Sequence, residues 1–152
     1  MISDLATSEE GRISQSRHFN RFIPPDVIYM RVVGDLSDED GHEINRQHYE
    51  LGKDVDGLFF ICDISELESV TSATRKEAVE IQKNMAIAGA VILKAPLKAR
   101  IFAKLILTAT NLFRAEKMMV AFVDTEEEAW AWIENQRKEY HARKKNQAAA
   151  GT

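Results

Sequence analysis

Runs of apolar and polar residues divide the chain into short strands and helices. Residues 18–23 form a brief apolar-polar run that Pro24, Pro25 and Asp26 interrupt, a strand followed by a turn. Val27, Ile28, Tyr29, Met30, Arg31, Val32 and Val33 are mostly β-branched or bulky, which predicts a second strand ending at Gly34. The two strands are expected to pair as an antiparallel hairpin. Ser37 is a good N-cap. Asp38, Glu39 and Asp40 follow it, where negative charge meets the positive end of the helix dipole. That helix is expected to reach about residue 51, with Ile44, His48 and Leu51 on one face and Gly52 in the C′ position.

Leu58, Phe59, Phe60, Ile61 and Cys62 are continuously apolar between Gly57 and Asp63, the pattern of a central strand covered on both faces. Residues 65–72 read as a polar loop. Thr74 and Glu77 have capping-box spacing and predict a second helix ending near Gly89, with Ala78, Ile81 or Gln82, and Met85 inward. Residues 90–93 predict a short buried strand. Pro96 opens a long helix to about residue 113. On its wheel Ile101, Phe102, Leu105, Ile106, Ala109, Leu112 and Phe113 span one broad apolar face, opposite Arg100, Lys104, Thr108 and Asn111. Residues 117–123 form the last strand. Thr125 with Glu128 then caps a final helix that places Ala129, Trp132, Ile133 and Tyr140 inward. The order β-β-α-β-α-β-α-β-α predicts an α/β domain with a mixed β-sheet and helices packed on it.

The 152 residues suffice for one domain with a real core. Residues 1–11 lack apolar periodicity and are expected to be disordered, 12–141 form a single domain, and 142–152 are a flexible tail. The opening residues are acidic and polar, unlike a signal peptide. No apolar run reaches the roughly 18 residues of a membrane span, so a soluble, cytoplasmic protein is expected.

Charge adds one feature. Residues 91–117 hold six Lys or Arg and one acid, on a chain whose net charge is −4. A basic stretch can be a solvated face or a surface for phosphate, acidic lipid or an acidic partner. The acidic whole argues against nucleic-acid binding.

Candidate chemistry is sparse. A single Cys excludes an internal disulfide, and the four His are too scattered for a metal site. Cys62 lies in the most apolar strand and reads as an inert core thiol. The seven Gly never cluster into a phosphate loop, and no Gly-x-Ser-x-Gly elbow occurs. Asp63 ends the central strand, where α/β sites often lie, but a lone Asp there more commonly serves a turn. No catalytic residue, metal or cofactor is therefore expected.

Four stretches, taken in register, resemble the STAS superfamily in its SpoIIAA-like branch, often labelled STAS/SEC14-like. They are Pro25-Asp26-Val27-Ile28-Tyr29 leading to Gly34-Asp35-Leu36-Ser37; Phe59-Phe60-Ile61-Cys62-Asp63-Ile64-Ser65; Gly89-Ala90-Val91-Ile92 with Arg100-Ile101-Phe102-Ala103-Lys104-Leu105; and Phe122-Val123-Asp124-Thr125-Glu126-Glu127-Glu128-Ala129-Trp130-Ala131-Trp132-Ile133. The resemblance covers about residues 18–137 and implies a non-catalytic regulatory domain acting by protein–protein interaction. In phosphorylated antagonists of that family an Asp-Ser-Ser-Gly phrase follows the central strand. Its place here falls near Thr71-Ser72-Ala73-Thr74, without the Asp or the Gly. Ser69, Thr71, Ser72 and Thr74 are thus candidates for a phosphoswitch or partner loop, or simply for helix caps. Lys98, Arg100, Lys104 and Trp130 are candidates for an interface or lipid-facing surface. The expected partner is another protein or a second copy of this chain. The alternative is a lipid or small apolar ligand bound through the amphipathic helix 97–113, since the SEC14-type fold holds lipids.

Overall fold

The computed structural model of the chain describes residues 17–151. The expected disordered segment 1–11 lies outside them. Five strands, β1 (Phe19–Ile23), β2 (Val27–Leu36), β3 (Leu58–Val70), β4 (Ile87–Leu93) and β5 (Met119–Val123), form one sheet in the order β1-β2-β3-β4-β5. β1 runs antiparallel to β2, and every later neighbour pair is parallel. The helices are α1 (Asp38–Gly52), α2 (Ser72–Gln82), α3 (Leu97–Leu112) and α4 (Glu126–Ala150). The order is the one expected.

This topology dictates the layers. Each crossover from β2 to β5 steps one strand in the same direction. Right-handed crossovers then set α1, α2 and α3 on one face of the sheet. α4 follows the last strand and returns over the other face. The strand residues obey the alternation. Ile28, Phe60, Cys62, Ala90 and Ile92 join the core under the three helices. Tyr29, Phe59, Ile61, Val91 and Leu93 join the core under α4, with Ala129, Ile133 and Tyr140. The apolar run Leu58-Phe59-Phe60-Ile61-Cys62 is buried throughout because β3 is the central strand, covered on both sides.

Several expected boundaries move. β2 continues past Gly34 to Leu36, and Gly34, at φ 73°, sits at a register shift against β3. The stretch 65–72 is not a loop: β3 extends to Val70, held to β2 through Arg31 with Glu66 (2.5 Å) and Asp35 with Ser69 (2.6 Å). Polar side chains there bridge neighbouring strands, so a polar run still forms strand. α2 begins earlier and ends earlier than expected. Its N-cap is Thr71, whose side chain accepts from Thr74 N at 3.2 Å, and it stops at Gln82. Glu77 is engaged across to α1, bonding His42 (2.7 Å) and Asn45 (2.9 Å), rather than capping its own helix. Gly89 lies inside β4, where a Cβ would stand 2.8 Å from Trp132. Gly52 is the last residue of α1, not a left-handed cap. A Cβ there would meet Leu58 at 2.6 Å. Residues 142–150, expected as a tail, continue α4.

Arg114, just past α3, fastens the turn between α2 and β4. Its guanidinium donates to the carbonyls of Gln82 (2.9 Å), Met85 (2.8 Å) and Ile87 (3.1 Å). On the other face, Arg137 of α4 grips buried Asp26 with two bonds, at 2.8 and 2.7 Å.

Candidate functional site: the outer face of α3 and the start of α2

α3 carries apolar residues on more than one side. The broad apolar face expected from its wheel is split between the interior and solvent. Ala99, Phe102, Ala103, Ile106, Leu107 and Thr110 point toward the sheet and α2, and of these Ala99, Leu107 and Thr110 are fully enclosed. Leu97, Ile101, Leu105 and Leu112 face outward and are 77%, 53%, 53% and 72% exposed. Phe113 extends this row past the helix end. The wheel missed the split because short Ala99 and Ala103 face inward and leave the larger Ile101 and Leu105 outside. An apolar face this broad is wider than the contact it makes, and hydropathy alone does not choose which part of it meets the core.

Cations border the exposed row. Lys98 pairs with Glu68 at 3.6 Å, so the start of α3 touches the end of β3. Arg100 donates to the Ala95 carbonyl at 2.9 Å, and its guanidinium lies 5.2 Å from the Phe122 ring. Lys104 lies 5.7 Å from the same ring. Arg75 of α2 stacks 5.7 Å from Phe102 of α3. The start of α2 and the first turns of α3 therefore form one continuous surface.

The four hydroxyls of 69–74 sit in unlike places. Ser69 donates to Asp35, inside the β2–β3 pairing. Thr71 caps α2 and donates to Thr74 Oγ1 at 2.9 Å. Thr74 is buried. Ser72, the first residue of α2, is exposed. Trp130 is half-buried against the α4 core, on the opposite face of the sheet. The fold thus brings Lys98 to the end of β3, next to residues 69–74, turns Arg100 and Lys104 toward Phe122 of β5, and leaves Trp130 on the opposite face. Trp132, expected in the core, is also half-buried and meets Phe59 edge-on at 6.3 Å.

Beneath α3 lies a cavity of about 110 Å³ between the three helices and the sheet. Its walls include Phe60, Cys62, Ile64, Ile92, Phe102 and Met118, and His48 also lines it. Burial pushes the Cys62 thiol up to about 12, with the charge of Asp63 adding to it. Burial pulls His48 down to about 4, so the ring is neutral, in hydrogen-bond contact with Asn20 Oδ1 at 2.9 Å. Asp63 does not end the central strand or serve a turn, because β3 runs on to Val70; it lies inside the strand, paired with Arg31 and Leu93, and accepts from Ser65 N (3.1 Å) and Ser65 Oγ (2.7 Å). Among the described residues no group of three His, Cys, Asp or Glu could hold a metal ion, and no helix is long and apolar enough to cross a membrane.

A five-strand sheet with one antiparallel edge pair, three helices on one face and a terminal helix on the other is also found in solved structures. The chain is similar to a protein of the DUF3478 family with a SpoIIAA-like fold from Shewanella loihica. The TM-score is 0.54 at 15% identity, over 76% of this chain and 91% of that one. It is equally similar to the anti-sigma factor antagonist SpoIIAA in its unphosphorylated form, with TM-score 0.54, 14% identity and coverage of 78% and 96%. The fold is SpoIIAA-like. No protein-family model matches the chain, and no curated protein matches it. In this SpoIIAA-like fold the Thr71-Ser72-Ala73-Thr74 stretch follows the central strand, at the start of α2.

Proposed function

We propose that this chain is a non-catalytic regulatory domain that acts by binding another protein. Its interface is the surface made by the exposed row of α3 and the start of α2. The carrying observation is the row Leu97, Ile101, Leu105 and Leu112, large apolar side chains held in water at helical spacing. Exposed apolar patches on small domains mark interaction sites. The bordering Lys98 and Lys104 favour a partner with acidic residues around an apolar centre. Two further facts support the reading. The similar SpoIIAA is an anti-sigma factor antagonist, a protein that acts on a protein. The cysteine and the buried histidine are both held in unreactive forms, which accords with binding rather than catalysis.

Ser72 is the hydroxyl of the 69–74 group that fits a phosphoswitch, being exposed at the first position of an eleven-residue helix beside the apolar row. A phosphate there would meet free backbone N–H groups and alter the charge of the interface. A cytoplasmic setting accords with the free thiol.

The test is affinity capture from the source cells with the full chain and with Ile101→Glu and Leu105→Glu, the captured proteins being identified by mass spectrometry. A protein held by the wild type and lost by both variants, at unchanged Tm, supports the reading. Capture that survives both substitutions removes α3 from the interface.

The same row with its cations also suits an anionic lipid surface. Its signature would be cosedimentation with anionic vesicles that weakens with salt. A second copy of this chain as partner would instead show as a doubled solution mass.

A further inference from the structure

The two edge strands of the described sheet differ. β1 carries Arg21 and runs into Pro24, features that blunt an edge against further pairing. β5 has neither. Its residues Met119-Val120-Ala121-Phe122-Val123 are all apolar, and they pair with β4 in one register without a bulge. Val123 O accepts from Lys94 N at 2.9 Å, so residues 119, 121 and 123 turn their backbone groups to β4. By alternation Val120 and Phe122 turn their N–H and C=O groups to the open side, where no described residue bonds them. Such a row is a template for one more strand. Charge marks what fits it. Val120 and Phe122 pack on the α3 side of the sheet, and Arg100 and Lys104 lie 5.2 and 5.7 Å from the Phe122 ring. Among the described residues neither cation pairs with a carboxylate, whereas Lys98 has Glu68 at 3.6 Å. On the α4 side the strand offers Met119, which is exposed, and Ala121.

We propose that β5 is a strand-addition site for an extended segment of a partner protein, apolar at alternate residues and acidic at the residues between. Hydrogen bonds to the Val120 and Phe122 backbones supply affinity for any extended chain, and the alternating side chains supply the choice. The apolar set meets Met119 and Ala121 on the α4 side. The acidic set lies beside Phe122 on the α3 side and meets Arg100 and Lys104. A lysine-rich segment is repelled there, and a proline at an edge-facing position lacks the donor. The inference rests on the reading of this domain as one that binds proteins, and it names the kind of segment taken and a sheet edge, distinct from the outward row of α3, that takes it.

The probe is an end-capped heptapeptide of alternating valine and glutamate, added to the full chain at millimolar concentration and followed by backbone amide NMR. The amide signals of Val120 and Phe122 should shift and gain protection from exchange, while those of Asn20 and Arg21 in β1 stay in place. The same peptide with lysine for glutamate should leave all of them unmoved. Lys104→Gln, an exposed substitution, should weaken the glutamate peptide about threefold. Two N-methylated versions test the backbone itself. In a strand the valine N–H groups point one way and the glutamate N–H groups the other, so methyl groups on one set should abolish the shifts and on the other set keep them. Absence of shifts at Val120 and Phe122 overturns the site, as do shifts confined to β1 or to α3. Equal effects of the two methylation patterns overturn strand addition. Equal binding of the lysine peptide overturns the acidic class. Capture by Ile101→Glu and Leu105→Glu reads the α3 row and the peptide reads β5, so the two assignments fail separately.

Discussion

Gly41 of α1 lies directly against Thr74 of α2: a Cβ on Gly41 would stand 2.1 Å from Thr74 Oγ1 and 2.5 Å from its methyl group. The two helices cross at this point, and only hydrogen fits. Gly41→Ala should therefore destabilise the domain by about 1–3 kcal/mol, even though alanine is the better helix former. Urea unfolding would show a lower midpoint with an unchanged slope. An unchanged or higher midpoint would mean that the crossing relaxes freely. The same contact closes Thr74 to modifying enzymes and leaves Ser72 as the exposed hydroxyl.

Arg114 should matter more than its place after a helix implies. Three of its four backbone acceptors, Gln82, Met85 and Ile87, belong to the turn that positions β4, and the fourth is the Glu116 carbonyl. Burial of the guanidinium lowers its pKa, the direction expected for a charge taken out of water. Arg114→Met keeps the apolar stem and leaves the carbonyls without their donor. The expected loss is about 3 kcal/mol, read from denaturant unfolding. Lysine should recover only part of it, because one ammonium cannot reproduce the fork.

His48 makes the fold sensitive to mild acid. Its folded-state pKa is lowered from 6.5 to about 4 by burial, so below about pH 6.5 the unfolded chain binds a proton that the folded chain refuses. Stability is thus full above that pH, falls as pH drops, and levels off below about 4. The contribution lost by pH 5 is about 2 kcal/mol. His18 shifts in the same direction, also through burial. In His48→Gln the fall in stability between about pH 7 and pH 5 should be shallower. Equal slopes for the two proteins would place the acid sensitivity elsewhere.

Cys62 should resist alkylation in the native state. Its thiol is buried and pushed up to about 12, so little thiolate exists at pH 8. Iodoacetamide should label it at the rate of unfolding, and immediately in denaturant. Fast native labelling would mean that the helical layer opens readily above β3.

The sequence makes most of the fold legible because its strongest signals are local. The apolar run at Leu58–Cys62, the acidic first turn after Ser37 and the Thr125–Glu128 cap each meet their expected element. What it hides depends on distant partners. Polar Glu66 and Ser69 form strand because Arg31 and Asp35 lie across from them. Thr71 rather than Thr74 caps α2 because Gly41 packs against Thr74 and Glu77 is drawn to α1. The candidate surface was half legible. Lys98, Arg100 and Lys104 were identifiable as a charged edge, but the outward row of α3 was not. Which side of an apolar helix faces water is set by what it packs on, here by where its alanines fit.

The most direct measurement is hydrogen exchange on the full chain, alone and with the protein captured by the wild type. Protection should appear on α3, Leu97–Leu112, and at the start of α2 around Ser72, with α4 unchanged. Protection confined to α4, or none on α3, would contradict the assignment of this surface to partner binding.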